Sequence, residues 1–520
     1  MTAAVLPAPR AVTRLRTAAL LPALLALAVG AAAWSAATPY LVGVFHDDGV
    51  YALLAKALAE GRGFHYLQVP GSPAATHYPP LYPLVLGVLW WIAPAFPANV
   101  PFLLGFNAVC IGASAVGLYL FVRRRMGWHP WAAAALSLSA HVGVPVLVLS
   151  GALMSESLFL ALLWPSLLAA EFVLDHDHAE RAQLIGAGAL VGVLMLCRTI
   201  GVALVIAVPV LLVLNGRWRH AVVHALASGA VLLPWTLWTL VATPSVPSPL
   251  AGAYGSYGSF VAAGAHAGGP SLFGATVRLN VREVAWTIAD RVAPGLPAWL
   301  VLPALALFAI AFVAGCWQSR RRARAMLAFI TLYLAIVLVT AFTPWRYLFA
   351  LWPCVLLMAA VGAHRIVERA HTLRLAPLAI AALALPVMGL CVTQGRELSR
   401  RAWQSPGDSA THQIAALVEW VRTSTKPSDV VLAEGGEVIT LYSGRLSAPP
   451  VAFTAADYVV APDEARSGAS LSAMLRAVPA TYLVSISPLT IAAARRIGTG
   501  VPRLEEAGTF PGGTAFRVVR

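Results

Sequence analysis

Pro79-Pro80-Leu81-Tyr82-Pro83-Leu84-Val85-Leu86-Gly87-Val88-Leu89-Trp90-Trp91-Ile92-Ala93-Pro94-Ala95-Phe96-Pro97 is the stretch on which the fold turns. Read as a membrane crossing, it would put Arg123-Arg124-Arg125 and most later basic clusters on the non-cytoplasmic side. Cytoplasmic loops carry the excess of basic residues in membrane proteins, which argues against that reading. Prolines crowd its two ends, and Trp90-Trp91 suit a seat at the membrane–water boundary. We therefore read it as a re-entrant or interfacial helix on the outer face.

With that stretch set aside, the remaining apolar runs alternate consistently across a membrane. They fall near 17–38, 102–122, 131–151, 157–174, 183–197, 200–215, 221–242, 298–317, 326–343, 347–363 and 375–392, about eleven transmembrane helices. The two runs flanking Arg198 are the shortest and read as a broken pair joined at the membrane surface. With the N-terminus cytoplasmic, the inner loops hold Arg123–Arg125, Arg181, Arg217 and Arg219, Arg320–Arg322 with Arg324, and Arg365 with Arg369. The outer loops hold far fewer basic residues each.

Composition agrees. Of 520 residues, 59% are hydrophobic and only 11% charged, with a mean hydropathy of +0.76. So few charges could not cover the surface of a soluble chain this long. The net charge of +14 comes mostly from arginines in short clusters between apolar runs, which is a topology signal and excludes a nucleic-acid partner. Cys110, Cys197, Cys316, Cys354 and Cys391 stand singly in or beside apolar segments, with neither disulfide nor zinc spacing. Ala18–Ala37 follows Arg10, Arg14 and Arg16 but is too long for a typical signal peptide, so it reads as an uncleaved first span.

Two hydrophilic regions are left outside the membrane domain of 1–392: a large aromatic-rich first loop, 39–101, and a second, 243–297. The second carries AGAYGSYGSF and is expected to be mobile or substrate-gated. Residues 393–520 have ordinary soluble composition and read as a small extracytoplasmic α/β domain. Within it, 411–424 is an amphipathic helix with Ile414, Leu417, Val418 and Val421 on one face, and DVVLAEGG and ATYLVSIS are buried strands.

The charges near the outer face invite chemistry. Asp47 and Asp48 open a segment in which Val50, Leu53, Leu54, Ala57 and Leu58 mark one face of a helix lying on the membrane. A helix cap explains one aspartate well and two less well; the alternative is a general base. Thr76-His77-Tyr78-Pro79-Pro80 is either a stiff entry to the interfacial helix or a source of donors from His77 and Tyr78. Glu156 in Met154-Ser155-Glu156-Ser157 is either a solvated cap or a second functional acid. Arg198 and Arg346 either snorkel to headgroups or bind phosphate through their planar forks.

This pattern resembles the GT-C superfamily of polyprenyl-phosphate-sugar-dependent glycosyltransferases, near the bacterial branch of lipid A aminoarabinose transferases and protein O-mannosyltransferase-like enzymes. The likeness covers about residues 17–365 and, weakly, the C-terminal tail. His46-Asp47-Asp48-Gly49-Val50-Tyr51 resembles a first-loop acidic motif that usually reads Asp-Glu before an aromatic. His77-Tyr78-Pro79-Pro80-Leu81 is similar to a His-Pro-Pro-Leu element, and Ser155-Glu156-Ser157-Leu158 falls where relatives place a second acid. Leu196-Cys197-Arg198-Thr199 resembles Leu-Thr-Lys with arginine replacing lysine, and Arg346-Tyr347-Leu348 with Pro353 resembles an Arg-Tyr-Leu element late in the membrane domain.

The resemblance implies a GT-C fold and inverting sugar transfer from a polyprenyl-phosphate donor to a lipid, glycan or protein acceptor at the outer face of the plasma membrane. Asp47 would be the base, Asp48 and Glu156 would orient acceptor or base, and Arg198 and Arg346 would hold the donor phosphate. Tyr51, His77, Tyr78 and Tyr347 would line the substrate site. No cofactor is required, although Asp47 and Asp48 are hard oxygen ligands suited to a divalent cation. The rival readings are a transporter or flippase of lipid-linked sugars and a membrane scaffold.

Overall fold

The computed structural model describes residues 9–37, 39–242, 246–293, 296–497 and 502–520. Every expected span is helical. Val100–Met126, Glu156–Asp175, Trp218–Val241, Ala298–Ser319, Pro344–Thr372 and Ala376–Ser399 are long and apolar enough to cross a membrane unaided. Pro130–His141 and Val144–Ser150, bent by 64° at a short break, are together long and apolar enough for one more. Leu20–Ser35, Arg181–Cys197, Thr199–Leu214 and Arg324–Val339 are shorter apolar helices. The break expected at Arg198 is present: helix Arg181–Cys197 ends there, and a tight turn over Thr199–Gly201 leads into Val202–Leu214.

The deciding stretch is a helix over Leu81–Ile92 of 12 residues. At 1.5 Å per residue it spans about 18 Å, well short of the roughly 30 Å hydrocarbon core. It packs on helix Asp47–Ala59. The Tyr82 hydroxyl donates to Asn107 Oδ1 (3.0 Å), and the Asn107 amide donates to the Ala152 carbonyl (2.7 Å), which ties it to the spans.

Helix Glu156–Asp175 gives the molecule its polarity. Its Asp175 end gathers the basic loops: Arg324 bonds Asp175 (3.1 Å), Arg125 pairs with Asp175, and Arg125 reaches the buried Glu171 (3.6 Å). The candidate site residues gather at its Glu156 end. Arginine clusters and site thus lie at opposite ends of a 20-residue helix, about one bilayer core apart.

Two expectations are corrected. The first-loop helix is not half-wet. Residues Asp48–Ala55 and Ala57 are all buried, because helix Leu81–Ile92 packs along the segment and the C-terminal unit covers its start at Gly49. The stretch AGAYGSYGSF is not an open loop either. It forms a tight turn over Ser248–Leu250, a short helix Ala251–Tyr254, and the start of a long helix Tyr257–Val292 kinked at Gly269 (φ 51°) before Pro270. Tyr254 and Phe260 are buried, and burying such large rings supplies the packing that Gly and Ser lack.

The C-terminal part is an α/β unit. Helix Ser405–Ser424 buries Ile414, Leu417, Val418 and Val421, the four positions its periodicity selects. Strand β1 (Val430–Ala433) is an inner strand of a five-stranded sheet with β2 (Leu446–Ala448), β3 (Tyr482–Ser485), β4 (Arg503–Phe510) and β5 (Gly513–Val519), in the order β2-β1-β3-β5-β4. β1 runs parallel to β2 and β3, while β3, β5 and β4 are antiparallel.

Candidate active site

Four charged side chains predicted from sequence meet at one point. Arg346, near the start of helix Pro344–Thr372, uses three nitrogens. Its Nη1 donates to Asp47 Oδ2 (2.5 Å), Nε to Glu156 Oε1 (2.5 Å) and Nη2 to Glu156 Oε2 (3.2 Å). Arg198 donates through one nitrogen, Nη1, to Glu156 Oε2 (2.8 Å) and to the Ser155 hydroxyl (2.9 Å). Two carboxylates and two guanidiniums thus form a closed, neutral tetrad. Burial explains the pairing, since Glu156 is fully buried and an unpaired carboxylate there would be costly.

Aromatic side chains hold this tetrad. The Tyr78 hydroxyl donates to Asp47 Oδ1 (2.8 Å), and the Tyr51 hydroxyl lies 3.0 Å from Ser155 Oγ. Arg198 stacks over Tyr347 at 5.7 Å. The His77 ring bonds the Gly255 carbonyl through Nδ1 (2.7 Å) and lies 4.0 Å from the Tyr257 ring. Asp47, Tyr51, His77, Tyr78, Arg198, Arg346 and Tyr347 line a cavity of about 1160 Å³, whereas Asp48 and Glu156 do not. Glu156 sits beneath it, reached through both arginines.

Asp48 is placed elsewhere. Its carboxylate accepts the backbone N–H groups of Gly43 (2.8 Å) and Phe45 (3.1 Å), closing the turn that leads into the helix. Asp48 is thus used inside the preceding turn, with no side-chain cap on the helix, and Asp47 is left for the cavity. Burial, with a further contribution from Asp47, raises the Asp48 carboxyl to about 7 against the pull of those N–H groups. The Asp47 and Asp48 carboxylates face different partners, and among the described residues no three His, Cys, Asp or Glu side chains form a metal-binding group.

Burial would raise the Asp47 carboxyl, but Arg346, then His46 and the Tyr78 hydroxyl, hold it down at about 2. His46 sits deep in the fold, yet its side chain is 47% exposed, opening into the cavity. Depth lowers its basicity; the opposing Glu437, with Asp47 and Asp48, more than reverses this and raises it to about 9.

Sequence reasoning missed Tyr257, Phe260, Phe342 and Phe453, which build an apolar arm of the cavity. Phe342, Phe260 and Phe453 stack with centroids 5.4 to 6.0 Å apart. The only signal for Tyr257 was an aromatic in a Gly/Ser stretch. Phe453 belongs to the C-terminal unit, where an aromatic residue is unremarked.

The geometry of Arg198 makes one expectation specific. A lysine ammonium can make both of its bonds, to Glu156 and Ser155, from a single point. Arg198→Lys should therefore fold normally and change kinetic constants by less than about tenfold, the loss of one modest hydrogen-bonding geometry. A complete loss of activity would show that the remaining nitrogens carry the function. Arg198 Nε is one of them: it is buried without a partner among the described residues.

Solved structures share this architecture. ArnT from Cupriavidus metallidurans bound to undecaprenyl phosphate superposes with a TM-score of 0.58 and 14% identity, covering 95% of this chain and 97% of that one. The chain shares the fold of that ArnT. The apo form of the same ArnT matches at a TM-score of 0.54 and 14% identity, over 96% of this chain and 98% of that one. No family model and no curated protein matches the sequence. The shared fold extends over nearly the whole chain, including the C-terminal part where the sequence likeness was weak.

Proposed function

We propose that this protein is a membrane glycosyltransferase that moves a sugar from a polyprenyl-phosphate donor to an acceptor at the outer face of the plasma membrane. The observation that carries the reading is the Asp47–Arg346–Glu156–Arg198 tetrad in the wall of a cavity with an apolar arm. Such a cavity suits a ligand that is both charged and greasy. The likeness to an ArnT solved with undecaprenyl phosphate supports the same class of donor.

In this reading the donor phosphate competes with the carboxylates for the guanidiniums. Arg346 turns from Asp47 to the phosphate, and Arg198 adds its positive charge. Asp47, relieved of its cation, becomes a stronger base and takes the proton from the acceptor. The acceptor atom bonds to the anomeric carbon as the bond to phosphate breaks, with inversion. The electron pair leaves on the phosphate oxygen, where the two arginines stabilise the charge. Tyr78 keeps Asp47 oriented throughout. The site's position at the end of Glu156–Asp175, with its charges at helix termini, favours transfer over passage of a solute across the bilayer.

Purified protein offered a panel of radiolabelled polyprenyl-phosphate sugars should release polyprenyl phosphate and label an acceptor with at least one donor. Movement of the donor between leaflets without bond cleavage would support a flippase instead.

Sidedness is tested separately. Single cysteines engineered at positions 70 and 100 in a cysteine-free background should both react with an impermeant reagent from outside. If position 100 reacts only from the cytoplasmic side, helix Leu81–Ile92 belongs to a crossing and the orientation inverts.

A further inference from the structure

The segment that presents Asp47 is held from the far end of the chain. The backbone N–H of Leu41 donates to Thr411 Oγ1 (3.0 Å) and that of Val42 to the Tyr442 hydroxyl (3.1 Å). Glu437, 2% exposed and at the start of helix Gly436–Ser443, reaches between the two units. Its Oε2 lies 3.2 Å from His46 Nδ1, and its Oε1 accepts from the Tyr254 hydroxyl (2.9 Å).

The backbone is shaped around that carboxylate. His46 sits at φ 63°, a conformation rare for a residue with a side chain. A Cβ on Gly49 would lie 2.5 Å from Glu437 Cβ, and one on Gly43, at φ 106°, would lie 2.8 Å from the Val438 nitrogen. Asp48 closes the same turn from inside by binding the N–H groups of Gly43 and Phe45. Strain at His46 persists only where surrounding structure enforces it, and here the enforcing partner is a charge from another unit.

We infer that the C-terminal unit is a working part of the site, with Glu437 a positioning residue that acts through His46 to fix the turn presenting Asp47. This rests on the assignment of Asp47 as the base. Glu437 does not line the cavity and takes no part in bond making. Its role is to keep the His46 turn from relaxing, so that the Asp47 carboxylate stays aimed at the acceptor. Arg198, Arg346 and Tyr347 are held by the spans, so phosphate binding is independent of the clamp.

Glu437→Gln is the informative variant, because glutamine keeps the size and can still bond Tyr254 and His46 while losing the charge. In the full-length protein, hydrogen–deuterium exchange should rise in peptides covering 41–50 and stay unchanged in the sheet of the C-terminal unit. Affinity for undecaprenyl phosphate should hold within about twofold, while kcat falls by roughly 10- to 100-fold, the scale of a displaced reacting group. Adding His46→Gln should cost little more than either change alone, as residues acting through one contact are not additive.

Unchanged exchange at 41–50 in Glu437→Gln would overturn the clamp whatever the kinetics. So would a rise spread evenly over the C-terminal unit with a parallel loss of lipid binding, the mark of general destabilisation. A wild-type protein that transfers no sugar would remove the proposed function, while the exchange result would still decide the clamp.

Discussion

Asp47→Asn protein should fold, keep its affinity for the donor lipid, and transfer sugar about 10²- to 10⁴-fold more slowly, the usual span for loss of a general base. Asparagine is nearly isosteric, and its Oδ1 can still accept from Tyr78, which now lies 2.8 Å from the carboxylate. The amide nitrogen would face Arg346 and repel it, leaving that guanidinium to Glu156 and to an incoming phosphate. Undecaprenyl phosphate should therefore bind as well as before or better, a result that separates loss of a base from loss of a site. Near-normal turnover in a folded Asp47→Asn protein would remove Asp47 from the chemistry.

The pH profile gives a second way to distinguish the two aspartates. A base works deprotonated, so rate is lost as pH falls through its pKa. With Asp47 held at about 2 in the free enzyme, kcat/KM should show no acid limb from this group near neutrality. A base at Asp48, raised to about 7, would put the limb there. A limb near neutrality that persists in Asp47→Asn and vanishes in Asp48→Asn would favour Asp48.

Arg346→Ala should nearly abolish transfer and weaken donor binding more than any other single change. Arg346 bridges both acids, and removing it leaves Asp47 with Tyr78 and the nearby His46, and Glu156 with Arg198. Breaking a buried ion pair from one side typically costs about 3–5 kcal/mol, so melting temperature must be followed alongside activity. Arg346→Lys is the sharper test. Three nitrogens in a planar fork reach three carboxylate oxygens, and one ammonium cannot reproduce that. Donor KM should rise clearly, well beyond the change in Arg198→Lys. Donor kinetics unchanged in a folded Arg346→Ala protein would leave Arg346 as a membrane anchor.

The parts of the site legible in the sequence are those that cost most to place. Asp47, Glu156, Arg198 and Arg346 interrupt apolar sequence, where an unexplained charge is expensive and therefore conspicuous. Neighbouring aspartates were not separable this way, because adjacent helix positions differ by about 100° in direction. Only the folded turn shows that Asp48 faces Gly43 and Phe45 while Asp47 faces Arg346. Glu437 was invisible for the opposite reason. It stands in sequence of ordinary soluble composition, where an acid carries no signal, and its burial comes from docking against Gly49. The long helix Tyr257–Val292 was hidden by Gly, Ser and Pro, residues of weak helix propensity that tertiary packing overrides.

Arg346 bonds Asp47 across 299 positions of sequence and Glu156 across 190. A ribosome therefore releases the acids into the bilayer long before it makes their shared cation. Until then the first half of the chain carries one buried carboxylate beyond what Arg198 can neutralise, and that half has reason to stay loosely packed or engaged with the insertion machinery. Chains truncated before Pro344 should thus be more open to protease at the first loop than full-length protein, and Asp47→Asn should lessen the difference. Equal protease sensitivity in truncated and complete chains would show that the early helices settle without waiting for their partner.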